Sequence, residues 1–432
     1  MPLVLVVGSG FGGLECARRL ETLRIGATAR LVLVSPLDHL LYTPLLPEVA
    51  TGVIEPRHLA VGLHRVLKRW TIVLGEVTRI DAGRRAAHVR AADGSLSTIV
   101  WDRLVIAPGS SSARPPVPGL DSFGMGFKTL AEAVKLRDHV LEQLSLADSA
   151  FDDRLAHCTF VIVGGGYTGT ELAGQLASLT RRLLARYRNV KISDIRIVLV
   201  EMQERLMPEL DVKLSRAALE LLRRRGVEVR LSTAVDEIRE KGVLLSTGEL
   251  LPTSTPIWCA GTAPIGLATQ VGLPTTDQRI MVGPDLQVPG YDGIFAFGDA
   301  AAVPDLTRPG QYCAQTAQHA VRQGALAAIN VAASLGSGRM RSYRHRDLGF
   351  VVDLGGWYAV ANPFGIPLSG LLAKAVTKGY HLFALPSFSN RLRVATDWLL
   401  NLITPNQMVQ LDFVRSRTGL SGEDAKERRL TT

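Results

Sequence analysis

The chain has 432 residues, more than one compact core accommodates, so its length predicts two or three domains. A hydrophobic fraction of 47% with 41 glycines fits a glycine-rich α/β protein and excludes a disordered or fibrous one. The formal net charge is +9, no nucleic-acid partner is expected, and no uninterrupted apolar run reaches membrane-spanning length.

The first element, "LVLVV" at residues 3–7, is a buried strand starting almost at the initiator Met, so no secretory signal is expected. Gly8, Gly10 and Gly13 follow as G-x-G-x-x-G, opening a helix over "FGGLECARRL". The first glycine permits a tight turn, the second lets backbone approach a pyrophosphate, and the third lets helix pack on strand. The pyrophosphate then meets free N–H groups at the positive helix end. A second strand, "ARLVLVSP", ends at Ser35, 22 residues past Gly13, where such folds place a ribose-binding side chain. The next stretch, "LYTPLLPEVATGVIEPRHL" at 41–59, fits neither a helix nor a strand template. It reads as a stiff apolar loop, in which proline fixes φ and removes backbone donors. A polar meander and the closing strand "DRLVIAPGS" complete the unit.

The plan then repeats. "FVIVGGGYTGTELAGQL" at 160–176 answers "VLVVGSGFGGLECARRL" at 4–20, and Gly164, Gly166 and Gly169 repeat the glycine spacing. The second strand of this copy ends at Glu201, a carboxylate suited to ribose hydroxyls and hostile to a 2′-phosphate, which favours NADH over NADPH. One glycine motif is a weak signal; two in the same strand–turn–helix context, each followed by a meander, predict two Rossmann-like domains. Cys16, Cys158, Cys259 and Cys313 show no short spacing, so neither a zinc site nor a redox pair is predicted, and the chain reads as cytosolic.

Gly8–Gly13, "DRLVIAPGS", "GGGYTGTELAG" and "IFAFGDAA" together resemble the two-dinucleotide-binding-domain flavoproteins, over roughly residues 1–330. That resemblance implies an FAD-binding domain over 1–112 and 256–335, with an NADH-binding domain over 113–255 inserted in it. It implies FAD contacts from Gly8, Gly10, Phe11, Gly12, Gly13, Ser35, Pro44, Val77, Ala107, Pro108, Gly109, Gly298, Asp299, Ala317 and Gln318. It implies NADH contacts from Gly164, Gly166, Tyr167, Thr168, Gly169, Glu201, Ala260 and Gly261. Ala107–Gly109 reads A-P-G where the family more often shows A-T-G.

Within that superfamily the chain is most similar to the type II NADH dehydrogenases, single-subunit, non-proton-pumping NADH:quinone oxidoreductases. "GTELAG" resembles their G-x-E-x-A stretch, implying that Glu171 orients the nicotinamide or relays a proton. "TAQHAVRQG" resembles A-Q-x-A-x-Q of the quinone site, with Gln318 matching but Arg322 standing where the last Gln belongs and Gln323 one step on. Arg322 changes the charge and size of the acceptor pocket. The resemblance implies hydride transfer from NADH to FAD and two electrons onward to a quinone-like acceptor. A soluble NADH-dependent reductase of another acceptor, or a flavin- and NADH-binding redox sensor, are the alternatives.

The C-terminal region, 336–432, carries 13 Lys/Arg against 7 Asp/Glu, a +6 share of the total. Leu368, Leu371, Leu372, Ala375, Val376 and Leu382 recur at helical period opposite Ser369, Lys374, Thr377 and Lys378. Leu392, Ala395, Leu399 and Leu402 repeat the pattern beside Arg391, Arg393 and Trp398. Basic amphipathic helices with an interfacial Trp suit peripheral attachment to the cytoplasmic side of a membrane. Packing against the protein or in a homodimer is the alternative. Beyond Phe413 the tail is polar and reads as disordered.

Overall fold

A computed structural model describes residues 1–149, 153–267, 272–404 and 408–410. The polar tail beyond Phe413 lies outside the described residues. The chain forms two compact units, each assembled from discontinuous segments. The first comprises Met1–Tyr42, Ala60–Ala113 and Thr262–Leu348; the second comprises Thr43–Leu59, Arg114–Gly261 and Gly349–Thr432.

The first unit is built on a seven-stranded sheet. Its order is Ile294–Ala296, Arg103–Ile106, Leu3–Val7, Arg30–Ser35, Thr71–Asp81, Ala86–Ala91 and Leu96–Val100. The first five strands are parallel and the last two form an antiparallel meander. Val4, Leu5 and Val6 are fully buried, as continuous apolar runs require when helices cover both faces of a parallel sheet. Each such side chain contributes about 1.5–3 kcal/mol of burial free energy.

The second unit repeats the parallel core with five strands, ordered Met125–Gly126, Thr255–Trp258, Thr159–Val163, Arg196–Val200 and Val227–Arg230. Here the meander is a separate three-stranded sheet, Val235–Arg239, Gly242–Leu245 and Leu250–Pro252. The correspondence extends to single hydrogen bonds. Gly8 N–H donates to Val34 O at 2.9 Å and Gly164 N–H to Val200 O at 2.8 Å. Ala107 N–H donates to Val7 O at 2.9 Å, and Cys259 N–H to Val163 O at 2.8 Å.

Two expectations are corrected. Residues 41–59 are not without regular structure: Leu46–Ala50 is a short α-helix between 3₁₀ turns at Thr43–Leu45 and Pro56–Leu59. Pro47 sits in the helix's first turn, where its missing N–H costs nothing and its fixed φ seeds the turn. The second correction concerns Lys374, Lys378 and Trp398: the C-terminal helices Leu371–Ala384 and Phe388–Ile403 do turn an apolar face outward, but these three side chains turn inward. Thr377 and His381 of the first helix are buried, whereas Leu371, Leu372 and Phe383 are 66–78% exposed. On the second, Asn390 Nδ2 donates to His58 O, Asp397 accepts from His58 and Glu55 N–H, and Asn401 Nδ2 donates to Val53 O. Phe388, Leu392, Leu399, Leu402 and Ile403 face outward. Trp398 does not join them. Its indole N–H donates to Glu48 at 2.6 Å and its ring lies 4.1 Å from Lys378 Nζ, because a buried carboxylate there needs a donor. Among the described residues, no helix is long and apolar enough to cross a membrane.

Candidate functional site

The two glycine turns are near-duplicates in backbone geometry. Gly8 and Gly164 adopt φ of +99° and +107°, conformations that favour glycine, and the following N-caps Gly10 and Gly166 sit at φ −65°, ψ −171° and φ −69°, ψ −172°. A Cβ on Gly13 would lie 2.0 Å from Gly8 O, and one on Gly169 would lie 1.9 Å from Gly164 O. These glycines are therefore required by the turn itself. A Cβ on Gly10 or Gly166 would meet nothing within 4 Å. Both middle glycines thus border open space at a helix N-terminus. Neither helix has a side-chain cap or an acidic residue in its first turn, so its first N–H groups are left to a ligand.

The ends of the second strands differ as their residue types dictate. The Ser35 hydroxyl lies 2.7 Å from Ser9 Oγ and donates to Leu37 O at 2.8 Å. The Glu201 side chain accepts from Gly165 N–H at 2.5 Å and from Gln203 N–H at 2.7 Å, which fixes its orientation. Arg205, which stands close to Glu201 in sequence, turns away and donates to the carbonyls of Leu210 and Pro208.

In the first unit, helix Ala317–Ser334 packs on helix Phe11–Thr22 through a glycine contact. A Cβ on Gly324 would lie 2.2 Å from Gly12 O, and one on Gly12 would lie 2.7 Å from Ala320 O. This crossing brings the start of the A-Q-x-A segment to the first cradle. Asp299 follows Gly298 (φ +68°) at the end of strand Ile294–Ala296 and accepts from the Ser110 hydroxyl at 2.6 Å. Gln323 is fully buried, with its carbonyl accepting from Gly298 N–H at 2.8 Å, so it braces the Asp299 turn. Arg322 is half-buried and donates to Arg346 O. Phe11 stacks edge-on against Tyr42, with ring centroids 5.8 Å apart. Val77 is buried opposite Val89 in the meander. Ala107–Gly109 closes the first cradle, since a Cβ on Gly8 would strike Ala107 O.

In the second unit, Ala260 meets Gly164 in the corresponding place, with Gly261 beyond it at φ +72°. Thr168 is exposed at the helix start, and Tyr167 stacks on Phe350 with centroids 5.5 Å apart. Pro44 lies in the 3₁₀ turn before the short helix that carries Glu48. Glu171 is the fifth residue of helix Tyr167–Leu183, past the first turn where the helix dipole favours a carboxylate. It is buried, and its Oε1 accepts from Asp353 N–H at 3.0 Å. Burial, and then the neighbouring Asp353 and Glu48 carboxylates, push its carboxyl well above the ordinary range.

Asp353, Lys374, Lys378 and Glu48, distant in sequence, surround it. Lys374 Nζ lies 2.6 and 2.7 Å from the two Asp353 oxygens; Lys378 Nζ lies 3.4 Å from Asp353 and 2.5 Å from Glu48. Burial pushes Asp353 up, but Lys378 and Lys374 outweigh it and hold the carboxylate below its usual range. The second unit therefore contains a carboxyl shifted towards its protonated form beside a paired ionic cluster. Glu48 is turned into that cluster. Sequence reasoning missed Asp353 and the inward turn of the two lysines; an Asp ending the apolar strand Val351–Asp353 was the available signal.

All four cysteines are free thiols. Burial pushes Cys259 up to about 12, and Cys158 and Cys313 up to about 11, so none is a thiolate at neutral pH.

The pyridine nucleotide-disulphide oxidoreductase family matches residues 2–324. The chain is 28% identical to type II NADH:quinone oxidoreductase Ndh of Mycobacterium tuberculosis, covering 98% of this chain and 94% of that protein. It is 33% identical to demethylphylloquinone reductase NdbB of Synechocystis, covering 92% of this chain and 96% of the relative. NDH2 from Plasmodium falciparum, solved in complex with NADH, has the same fold, with a TM-score of 0.87 at 17% identity over 94% of this chain and 99% of that one. The sulfide:quinone oxidoreductase of Aquifex aeolicus also shares it, at a TM-score of 0.72 and 17% identity over 93% of this chain and 95% of that one.

Proposed function

Because the chain belongs to the pyridine nucleotide-disulphide oxidoreductase family, and within it to the type II NADH:quinone oxidoreductases, we propose that it oxidises NADH and reduces a quinone, with FAD in the first glycine cradle and NADH in the second. The observation that carries this reading is the matched pair of cradles. Each is closed by glycines that the turn requires and opened at one glycine, Gly10 or Gly166, that only an approaching ligand explains.

The residues present fit FAD. Gly10, Phe11, Gly12 and Gly13 offer backbone N–H groups to a pyrophosphate, Gly8 shapes the turn that brings them there, Ser35 serves the ribose, and Asp299 the ribityl chain. Pro44, Val77, Ala107, Pro108, Gly109, Gly298, Ala317 and Gln318 are assigned as its remaining contacts. When bound, FAD supplies the hydride-accepting and electron-donating chemistry that links the two substrates. No dithiol relay is invoked, because all four cysteines are free thiols with raised pKa values, and Cys16, Cys158 and Cys313 are buried.

For NADH, Gly164, Gly166 and Gly169 with Tyr167, Thr168, Ala260 and Gly261 form the phosphate end, and Glu201 receives the ribose hydroxyls. Arg205 is committed to backbone carbonyls and so does not offset the repulsion of a 2′-phosphate by Glu201, which favours NADH. Glu171, whose carboxyl burial pushes well above the ordinary range, is the residue assigned to hydrogen-bond the nicotinamide carboxamide or to pass a proton. Gln318 and Arg322 are assigned to the acceptor side.

We assign the outward apolar faces of Leu371–Ala384 and Phe388–Ile403 to the surface of a membrane, on its cytoplasmic side, with the polar faces anchoring the helices to the second unit. A second copy of the chain is the other cover for these faces. The test is NADH oxidation by FAD-loaded protein with menaquinone, ubiquinone, ferricyanide and oxygen. Turnover with a quinone supports the assignment, whereas ferricyanide turnover alone makes the protein a reductase of another acceptor.

A further inference from the structure

The far end of the second glycine helix opens into a cavity of about 430 Å³, within the usual size range of ligand pockets. Four arginines line it, Arg181 and Arg182 from that helix and Arg224 and Arg225 from the end of helix Val212–Arg224 and its cap. Trp357 and Tyr358 also line it, and no carboxylate is among the lining residues.

The charge is under-compensated. Arg225 is 8% exposed and, among the described residues, has no ion-pair partner. Its guanidinium donates to Leu354 O, to Gly355 O at 3.2 Å and to Ser178 Oγ, and lies 5.1 Å from the Tyr358 ring centroid. Arg181 donates to Arg225 O at 3.0 Å and Arg182 to Thr51 O at 3.2 Å, so both meet neutral carbonyls. Among the described residues, Arg224 alone of the four has a carboxylate partner, Glu220 at 3.9 Å. Burial, and then the like charge of Arg181, pull Arg225 below the ordinary arginine value. Basic residues at helix C-termini are favoured by the dipole. That effect explains Arg181 and Arg224 singly; it does not explain a buried, unpaired guanidinium facing an open cavity.

We propose that this cavity is a binding site for a phosphate-bearing anion, with the arginines on its oxygens and Trp357 and Tyr358 against its organic portion. Guanidinium forks match phosphate geometry, and several converging on one site add charge-assisted bonds that water alone does not replace. The surroundings favour a lipid headgroup as the source. Gly370 N–H donates to Ala359 O at 3.0 Å, so the outward Leu371 and Leu372 follow directly beside the hairpin that carries Trp357 and Tyr358. Arginine, Trp and exposed leucine adjoining one another describe a membrane–water interface. The choice of a lipid source rests on the peripheral-membrane reading above; the anion site does not.

The experiment uses full-length, FAD-loaded protein. Sedimentation with phosphatidylcholine vesicles, with and without phosphatidylglycerol, is compared for the wild type, for Arg181→Glu with Arg224→Glu, and for Arg188→Glu with Lys213→Glu. The two double variants carry the same charge change, and all four side chains are exposed, so folding is preserved in both. A basic residue at an anionic surface contributes roughly fivefold in affinity. The pocket pair should therefore lose at least about tenfold in phosphatidylglycerol-dependent binding, while the other pair loses less than about threefold. Thermal stabilisation by glycerol 1-phosphate or inorganic phosphate forms the second arm. A shift abolished only by the pocket pair, without vesicle dependence, supports the site with a soluble phosphate ester as its source. If vesicles bind through apolar contacts alone, and neither the variants nor phosphate change any reading, the anion site is overturned while membrane attachment stands. If no vesicle binds but phosphate stabilises the wild type and not the pocket pair, the membrane reading fails and the site stands.

Discussion

Gly166→Ala separates a glycine that the fold needs from one that the ligand needs. The added methyl meets no protein atom within 4 Å, and at φ −69°, ψ −172° alanine is unstrained. Alanine is a poorer N-cap than glycine by about 0.5–1 kcal/mol, but it loses about 0.4–1 kcal/mol less chain entropy on folding. These nearly cancel, so the melting temperature should stay within about 3 °C of wild type. Binding should not be spared. A methyl at the cradle mouth holds the pyrophosphate away from the helix amides, and each charge-assisted bond lost costs about 1.5–3 kcal/mol. The NADH dissociation constant should therefore rise about 10- to 150-fold, measured by NADH titration of flavin fluorescence, with FAD content unchanged. Gly10→Ala should do the reverse, releasing FAD from a protein that still folds. Gly169→Ala, whose methyl would lie 1.9 Å from Gly164 O, should lose stability and NADH binding together. A Gly166→Ala protein that binds NADH as tightly as wild type would refute the assignment of the second cradle.

Glu171→Gln keeps the shape and the bond from Asp353 N–H while removing a carboxyl whose value is raised by burial. A raised folded value means the wild type's advantage is present below the ordinary glutamate range and is lost as pH rises through the folded value. The variant should therefore gain stability relative to wild type as pH rises above about 4.5, followed by melting at successive pH values; a gap independent of pH would contradict this. Glu201→Gln should shift the NADPH/NADH ratio of kcat/KM at least about tenfold towards NADPH, and an unchanged ratio would remove Glu201 from the ribose site. Glu48→Ala breaks bonds to Lys378 and Trp398, and Lys378 keeps Asp353 at 3.4 Å. The cost in urea unfolding should be about 3 kcal/mol, at the low end for a buried pair, and a loss under about 1 kcal/mol would mean water replaces the carboxylate. Leu372→Asp with Phe388→Asp, at side chains 70% and 79% exposed, should abolish vesicle binding and leave the melting temperature unchanged. Retained binding would assign those faces to another partner.

What could be read from the chain alone follows the range of the forces involved. The cradles are local: a tight turn, a close approach and a helix N-terminus fall within six residues, so Gly8–Gly13 and Gly164–Gly169 were legible as spacing. The strand cores were legible too, as continuous apolar runs. The C-terminal helices were half legible. Their periodicity gave two faces, but which face turns inward depends on Glu48 and Asp353, 330 and 25 residues from Lys378. Trp398 was read as interfacial for the same reason, since its partner lies 350 residues away. Arg322 occupies the motif position and Gln323 the next, and that Gln323 braces Gly298 is visible only in the fold. The arginine cavity joins two helix ends with a hairpin, and no local pattern announces it.

The account's central claim is tested most directly by steady-state NADH consumption with purified, FAD-loaded protein and a quinone as sole acceptor. The predicted result is one quinol formed per NADH oxidised, with NADPH a markedly poorer donor. Retained FAD with ferricyanide turnover but no reduction of menaquinone or ubiquinone would contradict it.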